Sequence, residues 1–182
     1  NISNSGSDAE LDIGSSTSPV GEITVNGNMT NDAGKFTLYA KNVGVNRLLS
    51  VSGQGKTYII GSDSGQDSMV FGSVSVDDAT LGLKVLAGDV DVNGDMSVVN
   101  AGVVNLDSSV SRIDVSGVFT LNGTLDIGGS IFALSAADID IQNGWNFYDA
   151  GKTVRFISDD INITGDVSVV NTSNLVFEEV NS

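Results

Sequence analysis

Asp89, Asp91, Asn93, Gly94 and Asp95, in the run DVDVNGD, are the residues whose types and spacing come closest to a known chemistry. Oxygen-bearing side chains at positions 1, 3, 5 and 7, with Gly at 6, follow the ligand spacing of an EF-hand Ca²⁺ loop, so Asp89, Asp91, Asn93 and Asp95 are the candidate metal ligands and calcium the candidate cofactor. The twelfth position is Asn100 where an EF-hand carries a bidentate Glu, and no helical pattern flanks the loop. Alternation offers a second account. Val90 and Val92 read as inward strand residues, which turns Asp89 and Asp91 outward on the same strand without any metal. Stacking could also bring Asp95 near Asp114 or Asp166, where a cation would relieve their repulsion. Asp63 and Asp67, in GSDSGQDS, form a weaker candidate of the same kind.

Other chemistries lack their parts. The chain has neither His nor Cys, which removes imidazole ligands, His-based triads, thiolates and disulfides. Glycosidase chemistry needs two carboxylates across a cleft, and with 23 acids a pair at some spacing carries no signal. No phosphate-binding loop or dinucleotide fingerprint is present. The expectation is a protein that is not an enzyme. Trp145, Phe147 and Tyr148, in QNGWNFYDAGK, are the one aromatic cluster. Trp145 and Tyr148 are candidate partner-contact residues, for stacking on a sugar or a protein; the alternative is an aromatic plug where a loop leaves the core.

The elements that must position these residues follow from composition. The 182 residues suit one domain with a real core, and 40% are apolar. Eight Lys and Arg oppose 23 Asp and Glu, a net charge of -15, which disfavours nucleic acid and anionic lipid as partners. No apolar run reaches the ~18 residues of a membrane span, so no membrane insertion is expected. Nineteen of the acids are Asp and four are Glu, and there are 22 Gly. Asp and Gly are turn formers, so the bias points to strands and turns.

Residues 1–20 are small, polar and Ser-rich. They are expected to be either a flexible tail or a strand-donating arm that contacts a neighbour through Leu11, Ile13 and Val20. Residues 21–182 form the single all-β domain, with short Val-, Ile-, Leu- and Phe-bearing strands separated by Gly, Asn and Asp.

Three Asn-Gly pairs, at Asn26-Gly27, Asn93-Gly94 and Asn122-Gly123, are hairpin signals, yet the register fails at each. A two-residue hairpin at Asn93-Gly94 would put Val90 and Val92 on one face and Met96 and Val98 on the other. The apolar positions instead keep one phase through the glycines: Ile113, Val115, Gly117, Phe119, Leu121, Gly123, Leu125, Ile127, Gly129, Ile131. A chain that bends at Gly while its apolar side stays inward suits a solenoid corner; bulges at Gly in a long, bent antiparallel strand are the other account. The phrase GDMSVVN at 94–100 returns as GDVSVVN at 165–171, and apolar-x-apolar units start near Ile23, Leu49, Val74, Val90, Ile113, Ile139 and Ile161. Their spacings of 16 to 26 residues straddle the low end of the ~20–30 of solenoid repeats. The predicted fold is a parallel β-solenoid (β-helix) of about seven short coils, roughly 34 Å long at ~4.8 Å per coil. An antiparallel sandwich of jelly-roll or Greek-key type is the alternative.

The phrases DVDVNGDMSVVNAGVVNL and DDINITGDVSVVNTSNLVF resemble the repeats of filamentous-haemagglutinin-type surface adhesins, in texture, over most of residues 23–177. The resemblance implies a right-handed parallel β-helix at the cell surface, with a structural or adhesive role. The expected function is a structural subunit that self-assembles into an extracellular filament or surface layer, with itself as partner. The alternative is a Ca²⁺-dependent carbohydrate- or receptor-binding module.

Overall fold

The computed structural model describes residues 1–61, 67–79, 82–86, 88–142, 145–147, 151–169 and 174–180; of 145–147 and 169 it describes the backbone alone. Among these residues are nineteen strands: β1 (Ile2–Asn4), β2 (Glu10–Ile13), β3 (Val20–Val25), β4 (Met29–Asn31), β5 (Lys35–Ser52), β6 (Lys56–Ile60), β7 (Ser68–Asp77), β8 (Leu83–Leu86), β9 (Asp89–Val92), β10 (Met96–Val99), β11 (Val103–Leu106), β12 (Arg112–Leu121), β13 (Thr124–Ile127), β14 (Ile131–Gln142), β15 (Trp145–Phe147), β16 (Thr153–Ser158), β17 (Asp160–Thr164), β18 (Val167–Val169) and β19 (Asn174–Glu179). Every pairing between named strands is parallel. The chain is a β-solenoid of about seven turns, and the sandwich is set aside.

Three faces enclose the core. On the first, Ile23, Val43, Met69, Val90, Ile113, Leu134, Phe156 and Phe177 stack in register. On the second, the stack is Ile2, Met29, Leu49, Val74, Met96, Phe119, Ile139 and Ile161. On the third, Leu11, Phe36, Thr57, Leu83, Val104 and Leu125 follow one another. This arrangement explains the uneven repeat. The seven sequence markers mix two faces: Ile23, Val90 and Ile113 belong to the first; Leu49, Val74, Ile139 and Ile161 belong to the second. Within one face every step is close to one rung, from 20 residues (Ile23 to Val43) to 27 (Ile2 to Met29).

Alternation puts one side chain in two inside, and the stacked rungs seal it. Phe71, Phe119, Phe132 and Phe156 are fully buried, and the Phe119 and Phe156 rings lie 6.5 Å apart. All three Asn-Gly pairs lie at corners between faces, outside the strands that they separate. Gly94 shows why Gly is required there: a Cβ would meet Ser73 Oγ at 2.5 Å and the Gly72 carbonyl oxygen at 2.7 Å, both on the rung below.

Two expectations change. Residues 1–20, expected as a tail or arm, are placed as a rung: β1 pairs with β4, and β2 and β3 with β5. Leu11, Ile13 and Val20 pack, partly buried, against the core. Their alternation continues the inward pattern, so burial within the same chain is open to them. The even-step apolar series also stops at Ile127. Ile131 is 69% exposed while Phe132 and Leu134 are buried, because the corner at 128–130 shifts the phase by one residue.

Candidate functional site

The acids of DVDVNGD occupy two different places. Val90 and Val92 are buried on the first face, so Asp89 and Asp91 project outward from β9. The next rung places Asp114 beside Asp91. Arg112, immediately before Ile113, falls beside Asp89. Its Nη2 lies 3.4 Å from Asp89 Oδ2 and 3.4 Å from Asp91 Oδ1, and its Nη1 contacts Asp114 Oδ2. Ser111 Oγ donates to Asp89 Oδ1 at 3.2 Å, and Ser135 Oγ, one rung further, donates to Asp114 Oδ1. One guanidinium thus faces three carboxylates on two rungs and supplies the positive charge that such a stack needs. All four side chains are half-exposed, so this cluster ties rungs with about 0–1 kcal/mol per pair and is screened by salt.

Asp95 is elsewhere, at the corner leading to β10. Its Oδ1 accepts a hydrogen bond from the Val118 backbone N–H of the next rung at 2.9 Å. The same corner on the first rungs uses asparagine: Asn1 Oδ1 accepts from Asn28 N–H at 2.8 Å, and Asn28 Oδ1 accepts from Leu48 N–H at 3.4 Å. These oxygens satisfy backbone donors that a corner takes out of the strand ladder. Asn93 is exposed, and its backbone N–H donates to the Phe71 carbonyl at 2.8 Å. The four predicted ligands therefore do not converge: β9 holds two of them straight, while the corner sends Asp95 to a structural task. The expected neighbour of Asp95 is also corrected, since Asp114 stacks on Asp91. Among the described residues, no group of three or more His, Cys, Asp or Glu is arranged to hold a metal ion.

The weaker candidates resolve differently. Asp67 is buried, and Asp63 lies outside the described residues. Trp145 begins β15, whose backbone pairs with β18 through Trp145–Val167 and Phe147–Val169. Tyr148 lies outside the described residues. Arg112 was the residue that motif reading missed. Its signal is a separation of 23 residues from Asp89 and 21 from Asp91, close to one rung, legible once the rung length is known.

No helix is long and apolar enough to cross a membrane among the described residues. No protein-family model, curated protein or solved structure matches the chain.

Proposed function

We propose that the chain is a non-enzymatic structural subunit that adds end to end into an extracellular filament or surface layer, with its long faces free for adhesion. The rung architecture carries this reading: parallel strand edges and an in-register inward stack repeat from rung to rung, an arrangement that a rung of a second copy can extend as well as one of the same chain. β1 pairs only with β4, β2 and β3 only with β5, β17 only with β14, β18 only with β15, and β19 only with β16, among the described residues. Each of these strands has one edge whose N–H and C=O groups can template another strand.

The inward stack runs in register through Phe177. Phe177 stacks 5.5 Å from Phe156 but is 37% exposed. A second copy added in the same register would set its Ile23 on Phe177 and its Ile2 on Ile161. That contact joins two different surfaces and does not close, so it repeats into a filament. Glu10, Asp12 and Glu22 on the first rung, and Glu178 and Glu179 on the last, repel across such a joint. Assembly should therefore increase with salt, which screens the repulsion.

Electron microscopy and light scattering of the purified chain, at low and physiological salt, test the proposal. Filaments that grow with salt and vanish in Phe177→Asp are expected. A monodisperse monomer under all conditions overturns it.

A further inference from the structure

The corner between the second and third faces, on the first three rungs, encloses a cavity of about 470 Å³ lined by Ser7, Asp8, Glu10, Lys35, Gln54 and Lys56, among others. Its construction is specific. Gly34, at φ +79°, lies beneath the loop of residues 5–9, and a Cβ there would collide with the Gly6 and Ala9 carbonyl oxygens. Ala9 C=O accepts from Lys35 N–H at 3.0 Å, and Gly34 C=O from Lys56 N–H at 3.0 Å, so backbone bonds fix the rungs that carry both lysines.

The charges are the unusual feature. Glu10, Lys35 and Lys56 are in register on successive rungs. Two like charges stacked on adjacent strands are unfavourable, and here they use two of eight cations in a chain of net charge -15. Lys35 reaches Glu10 at a long 3.9 Å. Lys56, like Lys41, Arg47 and Lys84, is in none of the ion pairs of the described residues, and among these it is the one stacked in register on a second lysine. The cavity lining therefore combines the ammonium groups of Lys35 and Lys56 with the carboxylates of Asp8 and Glu10, the Ser7 hydroxyl and the Gln54 amide.

We propose that this cavity binds a sugar acid: a carboxylate that also carries several hydroxyls. The carboxylate would lie between Lys35 and Lys56 and relieve their repulsion, as a bound anion does. The hydroxyls would donate to Asp8 and Glu10 and accept from Gln54. A bare anion would use the lysines only and leave the acids facing it. A neutral sugar would leave the lysine pair uncompensated. The long-range field of the acidic chain opposes an anionic ligand, so binding should be weak and should strengthen with modest salt, which screens distant charges more than contacts.

The test is an amide-resolved NMR titration with glucuronate, an oligoglucuronate, glucose and acetate. Glucuronate in the millimolar range is expected to shift the amides of Ser7, Ala9, Gly34 and Gln54, more strongly than either glucose or acetate does. Lys56→Gln should weaken it about tenfold and Lys56→Arg much less, the loss of one hydrogen bond to a charged group. The Lys56 backbone, which accepts from Asn31 Nδ2 at 2.9 Å, is untouched by either change. Tighter binding of the oligomer than the monomer would assign the site to a polysaccharide; equal binding would assign it to a free sugar acid. Unmoved amides, an equal response to glucose or acetate, or unchanged affinity in Lys56→Gln overturns the proposal.

Discussion

Phe156 and Phe177 are the same residue at the same place on the first face, one rung apart. Phe156 is fully buried and Phe177 is 37% exposed. The difference lies above them. Phe156 has rungs on both sides, whereas Phe177 has a described rung on one side only. In this fold, burial is granted by the neighbouring rung, and an apolar residue in the sequence is buried only as far as the stack continues. A surface pair joins the same two rungs: Arg155 Nη2 reaches both Glu178 carboxylate oxygens at 2.6 Å.

The comparison breaks most visibly at its buried member. Phe156→Ala should cost about 3–5 kcal/mol in urea-unfolding stability, the range for a large core aromatic. Phe177→Ala should cost about 1–2 kcal/mol in the isolated chain, because part of that side chain is already in water. Equal costs would mean that the last rung is covered in solution.

The corner bond between interior rungs gives a smaller effect. Asp95→Ala should destabilise by about 1 kcal/mol, by leaving the Val118 N–H without its acceptor. Asp95→Asn should restore most of that loss, since Asn28 performs the same task with an amide oxygen.

The smallest effect tests the surface ties. Arg112→Ala should cost about 0.5–1 kcal/mol at low salt and less at high salt, read as a shift in melting temperature. It also leaves Asp89, Asp91 and Asp114 without their shared cation. Added Ca²⁺ should then raise the melting temperature of the variant more than that of the unaltered chain. An equal response in both would locate any calcium effect away from this cluster.

Much of the fold was legible in the sequence. The period-two alternation of Ile113, Val115, Phe119 and Leu121, kept through Gly117, excludes a hairpin and leaves a corner as the simplest account. Short strands rich in Val and Ile, with Asn and Gly between them, specify the corner chemistry. The rung length is blurred in the sequence because the apolar-x-apolar units of two faces look alike and form one series. Nothing in a single strand says which face it occupies. The first rung is hidden for a related reason: Leu11, Ile13 and Val20 are sparse among Ser and Gly, and only their partners on β5 make them part of the core.

The candidate site divides in the same way. The run from Asp89 to Asp95 determined by itself that two acids face outward from a strand and that the chain then turns at Gly94, because alternation and the demand for Gly at a crowded corner are local. Its resemblance to a cation loop was local too. Only the tertiary structure decided what those acids meet. Parallel stacking puts residues 20–27 positions apart side by side, so Asp89 and Asp91 meet Arg112, Asp95 meets the Val118 backbone, and Lys35 meets Lys56. Register between rungs is a property of the whole stack, fixed by the inward side chains, and no spacing within one rung contains it.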